Sequence, residues 1–440
     1  PRLKWIHRRH EGADWYLISN QTKQRTVVET SFRVRGRRPD FWCAETGRIT
    51  PAPVWYESGG RTVVLLDLGP ADSVFVVFRE PVAGQPPARE LRLNAHRWDE
   101  AAAMGAPLLR ILRALYTDPD NHRRSRDLAE QLNAQIQHNR LFLQVNNSIG
   151  GDPAPGTPKV LIVDYVAGDT TGTVTVAEHG RLELPPLLQT GGPSEPRPVC
   201  EGTAAGGLRL ILWTTARVDA VRNDGRVISF DAAPEPPLDL PGPWRVEFPG
   251  GRGAPASIEL AKLISWTEHP EAGVRFFSGT ATYTTQFQWP REALRAHTRQ
   301  LLDLGDVRVI AEPVLNGRSL GVLWRPPFYV DITEALRPGE NRLEVRVTNL
   351  WPNRLIGDEH LPEEVEGDLH GPIKALPEWL VKGVPRTSGR IAFATWRHWS
   401  QEDPLLPSGL LGPVRIWSGA VHEWSPDTRK ARSGADQVTN

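Results

Sequence analysis

"NRLEVRVTNLWPNRLIGDE" runs from Asn341 to Glu359, and its reading decides the fold. The first half alternates, with Leu343, Val345 and Val347 on one side and charged residues between them. A period of two reads as a strand with one face in a core. The second half gathers a Trp, two Asn, an Arg and two carboxylates. Two chemistries are open for it. Asn349, Trp351, Asn353, Arg354, Asp358 and Glu359 form a loop that reads a sugar, Trp351 stacking on the ring and the others bonding its hydroxyls. Alternatively the loop is latched to its own fold. Arg354 then pairs with Asp358 or Glu359, and the Asn side chains satisfy loop backbone groups.

The surroundings of this stretch are also β. "VLNGRSLG" (Val314–Gly321) places Asn-Gly between two β-runs, the preferred two-residue hairpin turn. "DITEALRPGEN" (Asp331–Asn341) predicts a single helical turn, started by Asp331 or Thr333 and ended by Pro-Gly. "WRVEF", "GTATYTTQFQW", "FYVDIT" and "GPVRIWS" add further strands. Toward the N-terminus, "DWYLISNQ", "TVVETSFRV", "PVWYES", "RTVVLLDL" and "DSVFVVF" are short, β-branched and aromatic, and punctuated by turn residues. They predict a β-sandwich.

Two Pro-rich stretches, "EPVAGQPPARE" and "DAAPEPPLDLPGP", read as linkers. Between them Leu128, Leu132 and Ile136 are spaced for a helix, followed by strands such as "PKVLIVDYV" and "LRLILWTTARVDAV". The expected division is residues 1–95 as a β-sandwich and 96–235 as a small β-rich module with a helical segment. Residues 236–424 form a third module, and 425–440 a polar tail. The fold class is mainly β, as tandem sandwiches with a small helical insertion.

Composition narrows the function classes. The 440 residues carry 52 basic and 52 acidic side chains, which removes the electrostatic case for nucleic acid or an anionic membrane. No apolar run is long enough to span a bilayer, so a soluble chain is expected. Trp is abundant (16) against 6 Tyr, which suits sugar stacking and sandwich cores alike. Cys43 and Cys200 cannot build a zinc site alone, and their pairing is open. The chain starts at Pro1, its single Met is Met104, and no signal-like segment precedes the first strand. A longer parent, cut on its N-terminal side, is expected.

The third module resembles a known family. "FFSGTATYTTQF", "LDLGDVRVIAEPVLNGRSLGVLWRPPFYVDIT" and "GENRLEVRVTNLWPNRLIGDE" are similar to the galactose-binding-like jelly roll of glycoside hydrolase family 2 and its relatives. Tyr283, Asn316-Gly317, Trp324, Pro327, Asp331-Ile332-Thr333, Gly339 and Asn341 carry that resemblance. "NLWPNRLIGDE" and "LLPSGLLGPVRI" are closer to the bacterial α-L-rhamnosidase-like enzymes of family 106. "WIHRRHEGADWYLISNQ" and "VETSFRVRGRRPDFWCAETGRI" resemble the sandwich that follows their catalytic barrel, with Cys43 and Ala44 where the family has Asp-Pro after the Trp. The resemblance implies that catalytic carboxylates and calcium ligands lie in a (β/α)₈-type barrel. No eight-fold strand and helix alternation occurs here, so no catalytic residue, metal ligand or cofactor is expected within this chain. It implies the C-terminal portion of a secreted or periplasmic bacterial glycoside hydrolase, an α-L-rhamnosidase acting on rhamnose-containing polysaccharide or glycoside. Its partners would be carbohydrate and the parent's N-terminal catalytic barrel. A stand-alone carbohydrate-binding or structural sandwich is the alternative.

Four further stretches invite a site. "ATWRHWSQEDPLLPSG" puts Trp396 and His398 on one side and Trp399 on the other, so Trp396 and His398 join the candidate sugar contacts. "WRPP" (Trp324–Pro327) is a rigid loop for domain contact or sugar. "DEHLPEEVEGD" holds six carboxylates in eleven residues without calcium-loop register, and reads as a solvated loop. His7 and His10 on one strand face opposite sides and make a poor metal pair.

Overall fold

The computed structural model describes residues 3–426 except 23–24, 83, 85, 105–108, 137–140, 168–169, 185–194, 292–296 and 370. The polar tail expected from residue 425 falls almost entirely outside the described residues.

Eight strands build the N-terminal sandwich: β1 (Leu3–His10), β2 (Ala13–Asn20), β3 (Thr26–Phe32), β4 (Arg37–Trp42), β5 (Ile49–Pro51), β6 (Trp55–Ser58), β7 (Arg61–Leu68) and β8 (Ser73–Pro81). A five-stranded sheet, β1-β2-β8-β4-β5, faces a three-stranded one, β3-β7-β6. The alternating residues Tyr16, Ile18, Val64, Leu66, Val76 and Phe78 meet in the core with Phe32 and Trp55. All pairings are antiparallel.

Sheet membership runs across residues 95 and 235. Strand Glu90–Leu93 pairs with Ala216–Val221, and Leu208–Leu212 pairs with Arg415–Trp424. A separate core gathers Val54, Leu91, Trp98, Leu208, Leu210, Leu212, Val218 and Phe230. The second Pro-rich stretch is itself laid on a sheet, with Leu238 and Asp239 opposite Ile416 and Arg415. Proline is tolerated at such an edge because the missing N–H is not needed there.

The middle of the chain has its own core. Strands Leu109–Asp118, Asn121–Asp127, Val160–Ala167 and Thr170–Ala177 form one sheet, and Leu141–Gln144 pairs with Arg181–Leu184. The expected helix spans Ala129–Ala134 and buries Leu132 in this core.

Two six-stranded antiparallel sheets enclose the C-terminal core, which includes Trp244, Trp266, Phe277, Tyr283, Leu302, Val345, Val347 and Ile416. The Asn-Gly turn forms as read: Asn316 and Gly317 both have positive φ, 53° and 82°, and Leu315 pairs with Arg318. Asp331 starts the next turn by accepting the Thr333 amide at 2.9 Å. That turn closes through Ile332 carbonyl bonds to Ala335 and Leu336 and is too short to be a helix.

The rigid Trp324–Pro327 loop reaches the first sandwich. Arg325 donates to Glu45 (3.1 Å), to the Pro70 carbonyl (3.4 Å) and to Asp72 (2.8 Å). Trp324, its neighbour, is 54% exposed.

Candidate functional site

Strand Gly339–Thr348 delivers Asn349 to the edge of its sheet. The Asn349 amide donates to the Phe277 carbonyl (2.8 Å) and to Ser408 Oγ (3.1 Å), and its oxygen accepts the Gly279 amide (2.9 Å). The residues that follow form a helix, Pro352–Asp358, and not the loop expected. Proline at its first turn removes no needed donor and presets φ. Asn353 clamps the segment beside it, donating to the Leu406 carbonyl (2.7 Å) and Ser408 Oγ (2.9 Å) and accepting the Leu406 amide (2.8 Å).

Arg354 and Asp358 are one helical turn apart and almost wholly buried, with Nε 3.0 Å from Oδ1. These two atoms are not aligned as a hydrogen bond, so the contact is an ion pair. Burial pulls the Arg354 guanidinium below its usual pKa, and Asp358 opposes that shift. The other Asp358 oxygen accepts the Ile391 and Ala392 amides at 3.0 and 2.7 Å. Glu359 continues the series, accepting from Arg390 (2.9 Å) and Arg397 (2.8 Å).

These residues pin down a long excursion with little regular structure between residues 359 and 408. Its second anchor is Glu364, which accepts two bonds from Arg386 (2.7 and 2.8 Å), one from Trp379 Nε1 (3.1 Å) and one from Ser388. The carboxylate-rich stretch is therefore not simply solvated. Asp358, Glu359 and Glu364 are paired and largely enclosed, while Glu363 and Glu366 face solvent. Among the described residues no three His, Cys, Asp or Glu side chains converge as metal ligands. Sequence reading missed Arg386, Arg390 and Arg397. Their signal was three arginines about thirty residues after the acidic run, of opposite charge but with no spacing that fixes a register.

Burial alone would raise the Glu364 pKa, but its bonds to Arg386, Ser388 and Trp379 bring it down to about 2. A carboxylate depressed on folding stabilises above its unfolded pKa, and that stability is lost as pH falls through the folded value. Acidification from about pH 4.3 to 2 should therefore remove on the order of 2 kcal/mol from this anchor. Glu364→Gln should flatten the melting temperature against pH in that window; matching acid limbs for both proteins would contradict the assignment.

Five of the eight candidate residues, Asn349, Asn353, Arg354, Asp358 and Glu359, are thus committed to the protein's own backbone and arginines. The other three differ. Trp351 is 54% exposed, with the Arg252 guanidinium 6.0 Å from its ring. Trp396 is 43% exposed, and its ring lies 6.2 Å from that of His398. The cleft that Trp396 and His398 border with Glu359, Glu364, Arg386 and Phe393 encloses only about 60 Å³. Ligand pockets that engulf a small molecule hold roughly 300–1,000 Å³. A sugar would meet Trp351 or Trp396 on the surface. Trp351→Ala should change stability by no more than about 1 kcal/mol, the scale of an exposed cation–π contact. A loss of several kcal/mol in thermal unfolding would put this ring in the latch after all.

Large apolar side chains crowd the surface of the excursion: Leu369, Leu376, Leu380, Val381, Val384 and Phe393 are all exposed. The short helix Glu378–Lys382 buries none of its residues. His7 stacks on Tyr16 at 4.2 Å and meets Asp14 at 2.9 Å, and both cysteines are free thiols. No helix among the described residues is long and apolar enough to cross a membrane.

Residues 1–58 match the family model described as alpha-L-rhamnosidase. Over those residues the chain is similar to α-L-rhamnosidases. A solved rhamnosidase from Novosphingobium sp. PP1Y shares its fold over 94% of this chain and 24% of that one, at 25% identity and a TM-score of 0.50. A protein of Formosa agariphila that carries the provisional name beta-glucuronidase is 32% identical over 502 aligned positions, 94% of this chain and 42% of that protein. The chain therefore spans less than half the length of either relative.

Proposed function

We propose that this chain is the non-catalytic C-terminal portion of a glycoside hydrolase, an α-L-rhamnosidase acting on rhamnose-containing polysaccharide or glycoside. It braces a catalytic barrel and offers surface aromatics to sugar. Residues 236–424 are then a galactose-binding-like jelly roll. Calcium, where the parent uses it, belongs to the barrel. The enzyme would work in the periplasm or outside the cell.

One observation carries this reading: the apolar side chains of the Glu378–Lys382 helix and its surroundings lie exposed, while the enclosed carboxylates nearby are neutralised by arginines. A surface of that kind supports a covering partner. Carboxylates held by Arg386, Arg390 and Arg397 are poorly placed for glycoside hydrolysis, which needs one acid and one free carboxylate across the bond. A stand-alone carbohydrate-binding protein is the second reading, favoured by the exposure of Trp351 and Trp396.

The 440-residue chain should hydrolyse an aryl α-L-rhamnoside no faster than buffer. Turnover that survives repurification and disappears on replacing Glu363 or Glu366 would overturn the assignment. In a longer protein that contains this chain, Leu380→Asp with Val381→Asp should lower stability and activity together, while the isolated chain keeps its melting temperature.

A further inference from the structure

An antiparallel sheet with one face in a core normally turns polar residues outward on the other. The β1-β2-β8-β4-β5 sheet does not. Its inner face carries Tyr16, Ile18, Val76 and Phe78. On the outer face, direct cross-strand partners run Ile6, Leu17, Phe75, Trp42, Ile49, an apolar row across all five strands. The next row runs Arg8, Trp15, Val77, Asp40. Trp15 packs edge-on against Trp42 at 4.7 Å and Phe75 at 6.3 Å, and Val77 beneath them is fully covered. Ile6 and Ile49, at the two ends, are 53% and 48% exposed.

One end of this strip is cationic. Lys4 and Arg8 share the outward side of β1 with Ile6 and are exposed. Arg8 bonds to the His7 carbonyl rather than to a carboxylate. The Arg79 guanidinium lies 5.7 Å over the Trp42 ring and is paired with Glu80 at 2.8 Å. The acid within the two rows, Asp40, is 2% exposed and neutralised by Arg38 at 2.9 Å.

We propose that this outer face is a binding platform for a polysaccharide chain that carries anionic groups. The aromatic and aliphatic row would meet the sugar rings, and Lys4 and Arg8 would meet carboxylate or sulfate substituents. Four strand spacings make the row about 19 Å long. It is two residues deep. A strip so long and narrow, with the exposed cations Lys4 and Arg8 at one end, fits a linear polymer better than the broad patch a folded partner needs, roughly 800 Å² a side. The idea rests on the proposed role in polysaccharide breakdown, but it involves residues remote from the Glu378–Lys382 surface and from any turnover assay.

The test is affinity electrophoresis of the 440-residue chain through gels containing polygalacturonate, dextran sulfate or neutral dextran. Polygalacturonate, dextran sulfate or both should retard the protein, dextran should not, and added salt should weaken the effect. The two anionic gels tell a carboxylate from a sulfate. Ile6→Ser with Ile49→Ser, and separately Lys4→Ala with Arg8→Ala, should each weaken retardation at least tenfold at an unchanged melting temperature. Equal retardation of wild type and both double variants would overturn the proposal. So would passage through all three gels without delay, or a concentration-dependent dimer abolished by Ile6→Ser, which would mean that a second copy covers the face. None of these outcomes bears on rhamnoside turnover, which tests the parent reading separately.

Discussion

Asp358→Ala should destabilise the C-terminal sandwich by about 3–5 kcal/mol, the cost of leaving a buried partner charge alone. The substitution orphans the Arg354 guanidinium, whose side chain is 7% exposed. It also strips the acceptor from the Ile391 and Ala392 amides. Urea unfolding followed by tryptophan fluorescence reads the loss directly. Asp358→Asn should cost less, because an amide oxygen still accepts one of those amides. Replacing both partners, Arg354→Met with Asp358→Leu, should recover part of the loss, since a buried pair exchanged for apolar volume is often neutral. A drop below about 1 kcal/mol for Asp358→Ala would show that the ion pair is solvated and that the excursion is held elsewhere.

Gly409→Ala should be the second severe substitution. Gly409 has φ of +98°, where a side chain is strained. A Cβ there would come within 2.5 Å of the Tyr283 hydroxyl and 2.9 Å of the Trp266 ring. Both aromatics are fully buried, and neither can swing away. The Tyr283 hydroxyl also accepts the Leu410 amide, so relaxing the clash breaks a buried hydrogen bond. Strain and overpacking together should cost about 2–4 kcal/mol. Thermal unfolding that shifts by only a degree or two would mean that the strand at Gly409–Gly412 adjusts more freely than its contacts allow.

The β character was legible because alternation in stretches such as "NRLEVRVT" has one physical cause, a face in a core. The Asn316-Gly317 turn was legible because its left-handed φ values restrict residue choice. The latch was half legible. Arg354 and Asp358 are four apart on a short helix and could be paired on paper, but the Arg390 and Arg397 bonds to Glu359 close over more than thirty residues. Nothing local specifies such a pairing. The exposure of Trp351 was equally hidden, because a tryptophan at a strand end looks alike whether it faces core or solvent. The Pro-rich stretches were legible in composition but not in pairing. Composition reports where a chain is stiff and poor in donors, and Leu238 and Asp239 pair with a strand regardless.

The pairing of Leu208–Leu212 with Arg415–Trp424 also sets a clock on biosynthesis. Arg209 and its ion-pair partner Glu423 are 214 residues apart. At about 5–20 residues per second, a ribosome needs roughly 10–40 seconds to make the second strand after the first has emerged. During that interval the Leu208–Leu212 strand presents an open edge, while the buried core that holds its leucines draws only on residues up to Phe230. The N-terminal sandwich, whose eight strands are all complete by Pro81, has no such wait. Nascent chains should therefore pass through a state with a finished first sandwich and one unpaired strand edge at Leu208–Leu212, which makes that edge a place for a chaperone to hold during synthesis.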